Sequence, residues 1–107
     1  MKFKQTYKDY QYEEYTLPVV WKNKNIKIVV GMKYHTFLKY WESNGWAEYG
    51  DGFITKGFNI TNFEMKLNRK DTRAECAKLM VKIEEDPMAV IENLDDFYKN
   101  LILEEAK

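Results

Sequence analysis

Nucleophilic catalysis needs a nucleophile, a base and a group to orient the base, and the chain supplies one serine, Ser43, one cysteine, Cys76, and one histidine, His35. The supply is thin. Ser43 lacks the G-x-S-x-G turn that exposes a serine nucleophile, and Cys76 falls on an apolar helical stripe, where a thiol packs as a small hydrophobe. His35 follows Tyr34 at the start of a helix predicted below and reads as a surface or capping residue.

A thiolate and imidazole zinc site needs several Cys and His at short spacing, which one of each cannot provide. The acidic clusters Glu84-Glu85-Asp86, Asp95-Asp96 and Glu104-Glu105 could in principle attract Mg²⁺ or Ca²⁺. Their helical setting makes them solvated faces instead. Asp51, between Gly50 and Gly52, reads as a turn residue because the EF-hand spacing is absent. No glycine-rich phosphate loop occurs, so the expectation is a non-enzymatic chain with no metal, no nucleotide and no other cofactor.

The unusual feature is the load of aromatic residues. Fifteen of the 17 Phe, Tyr and Trp precede residue 64, and lysines are interspersed among them. Three destinations compete for these rings. Tyr and Trp anchor protein interfaces with little loss of side-chain entropy. Alternatively, rings stack on unpaired bases while lysines hold phosphates. The third destination is the core, which suits Phe3, Phe37, Trp41, Phe53, Phe58 and Phe63.

Tyr10 and Tyr12 are hard to bury beside Asp9, Gln11, Glu13 and Glu14, so they lead the candidate contact residues. The full candidate surface joins Tyr7, Tyr10, Tyr12 and Tyr15 to the hairpin bearing Trp21, Lys22, Lys24 and Lys27. The expected function is a small binding module working through a protein–protein interface, as an inhibitor or accessory factor of a larger machine. Single-stranded nucleic-acid binding on a basic, aromatic sheet is the alternative. The Lys-, Asn-, Tyr- and Ile-rich usage matches small proteins of AT-rich bacterial genomes and their phages, a compositional association only.

Charge bounds both readings. The formal net charge is zero, which argues against strong attraction to a phosphate polymer or an anionic membrane. Residues 1–70 nevertheless carry twelve Lys/Arg against seven Asp/Glu, and residues 71–107 carry five against ten. A lone cysteine rules out an intramolecular disulfide, and the N-terminal residues show no apolar signal region. The expectation is therefore a cytoplasmic protein with no membrane contact.

Several elements must position these residues. Val19-Val20-Trp21 and Ile26–Val30 predict a hairpin turning at Asn23-Lys24-Asn25, preceded by an irregular strand or two short ones, with Pro18 at an edge. Tyr34, Phe37, Leu38 and Trp41 recur at helical spacing, so a short helix is predicted, capped by Thr36 and ended by Gly45. Gly50 and Gly52 mark a second hairpin between Ala47-Glu48-Tyr49 and Phe53-Ile54-Thr55.

Phe58 and Ile60 alternate, and Phe63, Met65 and Leu67 alternate in the opposite phase, which predicts a strand bent near Thr61-Asn62. From Asp71 the period is helical, with a capping box at Thr72–Glu75 and a stripe of Cys76, Leu79, Met80 and Ile83. Asp86-Pro87 starts a final helix, which Asn93 could interrupt.

One domain spanning 1–107 is expected: an α+β fold with an antiparallel sheet of about five strands, a short helix in the middle, and two C-terminal helices on one face. The adjacent apolar residues Leu101-Ile102-Leu103 cannot all face one side of a helix, which leaves a homo-oligomer open.

Overall fold

The computed structural model describes residues 2–50 and 52–105, excluding the side chain of Glu105, and the turn role assigned to Asp51 lies outside them. Strands β1 (Lys4–Lys8), β2 (Tyr12–Trp21), β3 (Lys24–His35) and β4 (Tyr40–Tyr49) form an antiparallel meander. Two short strands, β5 (Phe53–Ile54) and β6 (Phe58–Thr61), share the outer edge of β4. A 3₁₀ turn at Phe63–Met65 follows, then α1 (Arg69–Glu85), α2 (Pro87–Glu92) and α3 (Asp96–Glu105). This is the expected α+β arrangement. No described helix is long and apolar enough to cross a membrane.

β-Branched runs build the central strands. Ile26, Ile28, Val30 and Met32 alternate along β3, and all are buried on the face that the helices cover. At roughly 1.5–3 kcal/mol for each fully buried aliphatic side chain, this one strand is a major source of cohesion. The β2–β3 turn falls on Lys22 and Asn23, with φ of 48° and 64°, one residue earlier than the three-residue turn expected. Two residues in left-handed geometry match the right-handed twist of the flanking strands. β1 reaches only as far as Thr16 along β2, so Pro18 lies on an unpaired edge where its missing N–H costs nothing.

The helix predicted between Tyr34 and Gly45 is a strand hairpin. Tyr34 and Trp41 do face each other, but across the β3–β4 ladder, with ring centroids 5.6 Å apart. Phe37 and Leu38 sit in the turn Thr36–Lys39, closed by a 2.7 Å bond from Lys39 N–H to the His35 carbonyl. A ladder running unbroken from Ile26↔Tyr49 to His35↔Tyr40 overrides the local helical spacing. The strand expected through Phe63 and Met65 likewise ends at Thr61, and Asn62 caps the 3₁₀ turn there.

The long helix begins earlier than the capping-box pattern indicated. Asn68 is the N-cap, its side chain accepting from Asp71 N–H at 2.8 Å, and Thr72 is a buried residue of the helix body. Cys76, Met80 and Ile83 pack on Leu17, Ile28, Val30, Met32 and Trp41. Pro87 occupies the first position of α2 as expected, and the chain breaks after Asn93, where the sequence admits an interruption, so that α2 and α3 are separate helices. A second cluster joins Ile91 and Ile102 to Trp21, Ile26, Ala47 and Tyr49. Leu101 and Leu103, both partly buried, pack against the same cluster.

Candidate functional site

The residues best equipped for chemistry do not converge. Ser43 is buried on the helix-covered face, hydrogen-bonded to Thr61 at 2.9 Å, and Cys76 is buried in α1, where burial pushes its thiol pKa up. His35 lies on the opposite face, with Nε2 2.6 Å from Glu42 Oε1 and its ring stacked on Tyr40 at 4.6 Å. Among the described residues no three His, Cys, Asp or Glu side chains group closely enough to hold a metal ion.

One charge is wholly enclosed. Glu13, 0% exposed, accepts from Arg69 Nε and Arg73 Nη2, both at 2.6 Å, and from the Tyr15 hydroxyl at 2.6 Å. Burial alone raises a carboxyl pKa and is the largest single influence. The bonds from Arg73, Tyr15 and Arg69 together outweigh it and hold the group at about 2. Arg69 also donates to the Asp9 carbonyl at 2.7 Å, and its guanidinium lies 4.8 Å from the Trp41 ring centroid. Glu13 thus ties the start of α1 to β2 and to the β1–β2 turn.

That tie organises one end of the sheet. The β1–β2 turn lies beside β3, since Tyr34 N–H donates to the Gln11 carbonyl at 2.8 Å. The 3₁₀ segment reaches the start of β4 through the bridge Trp41↔Leu67 and through Phe63, whose ring lies 6.4 Å from Tyr40. Three connections, 9–11, 36–39 and 62–68, therefore share one end. They display Phe37, 92% exposed, and Tyr10, 78% exposed, together with Leu38, Phe63 and Met65. Leu38, Lys39, Tyr40, Phe63 and Lys66 enclose a shallow cavity of about 230 Å³ there.

The predicted contact residues divide. Tyr7 and Tyr10 are exposed, and Tyr12 and Tyr15 are half-buried. Burial first, then Glu14 and Glu48, pushes Tyr12 up to about 12. Trp21, expected at the surface, is 4% exposed, packed against α2 and α3, with Nε1 donating to Glu92 at 2.9 Å. Lys22, exposed at the turn, lies 4.9 Å over the same ring, while Lys24 is half-buried and Lys27 exposed. Moreover, the Lys22–Asn23 turn and the Tyr10 turn lie at opposite ends of the ten-residue strand β2, about 30 Å apart at 3.3 Å per residue. One compact surface cannot use both.

Sequence reasoning missed Phe37, Leu38, Phe63 and Met65. It assigned Phe37 and Phe63 to the core, and helical spacing hid the tip position of Phe37-Leu38. Only the neighbouring Thr36 and Lys39, polar on both sides, hinted at a turn.

The helix-free face carries a different constellation. Tyr12, Gly31, Lys33, Glu42, Asn44 and Trp46 help line a cavity of about 290 Å³. Gly31 leaves room for these side chains: a Cβ would stand 2.7 Å from the Tyr12 hydroxyl and 2.9 Å from the Trp46 ring, so one of them would have to shift. Carboxylates recur on this face. Trp46 Nε1 donates to Glu48 at 3.2 Å, the Tyr12 hydroxyl to Glu14 at 3.4 Å, and Lys33 lies 3.8 Å from Glu42.

No family model, no curated protein and no solved structure matches this chain.

Proposed function

We propose that this protein is a non-enzymatic binding module that grips a partner protein with the end of its sheet formed by residues 9–11, 36–39 and 62–68. The single observation behind this reading is the display of Phe37, Leu38 and Phe63 beside Tyr10 on loops that a hydrogen-bonded scaffold holds together. Burying a Phe or Leu is worth about 1.5–3 kcal/mol, and these side chains withhold that from the fold. A partner would recover it. The Glu13–Arg69–Asp9 chain pins the 9–11 turn to the start of α1, and the Lys39–His35 bond closes the 36–39 turn, so ordering them on binding costs little.

Action as an inhibitor or accessory factor in a reducing, cytoplasmic setting fits a domain with a single buried cysteine. Single-stranded nucleic-acid binding is the weaker reading. Glu14, Glu42 and Glu48 on the helix-free face would all repel a phosphate chain laid on the sheet.

The test is affinity capture from the native cell, comparing the wild-type chain with the triple variant Phe37→Ser, Leu38→Ser, Phe63→Ser. The variant should fold with unchanged thermal stability and lose a protein that the wild type retains. Retention of the same partner by the folded variant would refute this surface.

A further inference from the structure

The cavity at the loop end has a definite electrostatic character. Its two charged lining residues, Lys39 and Lys66, are both exposed cations, and neither has an ion-pair partner among the described residues. Glu64, in the same 3₁₀ turn as Phe63, is not among the lining residues. Glu42 accepts from the Tyr40 hydroxyl at 3.4 Å, but it is already engaged by His35 at 2.6 Å and by Lys33 at 3.8 Å. The pair thus stands without an ion-pair partner among the described residues, beside Leu38 and Phe63. Both lysines sit on hydrogen-bonded turns, Lys39 N–H to His35 and Lys66 N–H to the Phe63 carbonyl at 3.2 Å, so their backbones are set before any ligand arrives.

We infer that the partner reaches this cavity with an acidic, apolar segment, placing an Asp or Glu carboxylate between Lys39 and Lys66 while a neighbouring apolar side chain covers Leu38 and Phe63. The inference rests on the proposed binding reading and names the partner's chemistry at that site. Charge complementarity selects a carboxylate over a cationic group, and long-range attraction of this kind steers encounter and fixes register. A point-like carboxylate fits better than a polymer of phosphates. Two lysines make no continuous track for such a polymer.

Two twelve-residue peptides test this, with identical Phe and Leu positions and either Asp/Glu or Lys elsewhere. Each is titrated into the ¹⁵N-labelled chain, alongside a fifteen-nucleotide oligothymidylate. The acidic peptide should shift the amides of Lys39, Tyr40, Phe63 and Lys66, and the basic peptide should not. The double variant Lys39→Glu, Lys66→Glu should weaken the acidic peptide about tenfold or more and admit the basic one. Unchanged amide positions for the buried residues Val29 and Val30 would verify its fold.

If both peptides bind this end equally, the acidic inference falls while the binding surface survives. If neither peptide shifts these amides at millimolar concentration, the inference is overturned, and the capture experiment judges the surface separately. Oligothymidylate binding that depends on Lys39 and Lys66, without acidic-peptide binding, would replace the carboxylate by a nucleic-acid phosphate and overturn it as well.

Discussion

Replacing Glu13 by glutamine removes the wholly enclosed charge among the described residues while keeping the side chain's shape. In the folded protein its carboxyl is held at about 2, against an ordinary value of 4.5. A gap of that size corresponds to about 3 kcal/mol. The partners, however, are partly wet, Arg69 at 29% and Arg73 at 41% exposure, and solvent screening reduces the usable figure to about 2 kcal/mol. Because the folded value lies below the unfolded one, the stabilisation is complete above pH 4.5 and disappears as the pH falls towards 2.

Urea unfolding of the wild type and of Glu13→Gln across pH 2 to 7 isolates this contribution, since every other carboxylate titrates in both proteins. At pH 7 the variant should be about 2–4 kcal/mol less stable, near the lower part of the range for breaking a buried pair because both arginines can reach water. The difference should stay level down to about pH 5, then shrink by about 2 kcal/mol before pH 2. A difference that stays flat through this window, or that is under about 0.5 kcal/mol at pH 7, would show that Glu13 is not held as a stabilised carboxylate.

Gly31→Ala should cost about 1–3 kcal/mol by calorimetry, because its new methyl group meets the Tyr12 hydroxyl at 2.7 Å and the Trp46 ring at 2.9 Å on a paired strand. Trp21→Ala should cost about 3–5 kcal/mol in chemical denaturation, by emptying the cluster shared with Ile91 and Ile102. A loss under 1 kcal/mol would mean that α2 and α3 contribute little to that core. Cys76, 0% exposed with its thiol pKa raised by burial, should react with an aromatic disulfide reagent only at the rate at which the protein opens, and at once in denaturant.

The legible parts of the fold are those whose signals are local. The β2–β3 hairpin follows from β-branched runs flanking residues that tolerate left-handed turns, and the β4–β5 turn from Gly50 and Gly52, both at positive φ. The stripe Cys76, Met80, Ile83 and the Pro87 start announce helices by period and by capping chemistry alone. The β3–β4 tip is different. Tyr34, Phe37, Leu38 and Trp41 satisfy a helical template equally well, and only hydrogen bonding of the long strands β2 and β3 to their neighbours selects the sheet.

The site was legible in part. Of Tyr10 and Tyr12, marked by their polar neighbours as hard to bury, Tyr10 is exposed and Tyr12 half-buried, whereas Trp21 is withdrawn into a core completed by Ile91 and Ile102 from 70 and 81 positions away. Glu13 gave no sign of burial beside Glu14, because Arg69 and Arg73 reach it from 56 and 60 residues along the chain.

Composition and short-range pattern alone determined the α+β class, the antiparallel sheet and the helical C-terminal part, since residue period and turn chemistry act over a few neighbours. Which rings are covered and which are displayed was decided only by tertiary structure. Phe3 has the more polar neighbours, Lys2 and Lys4 against Thr36 and Leu38 for Phe37, yet Phe3 is 5% and Phe37 92% exposed. Burial depends on what distant segments bring to a position, and no local window contains those segments.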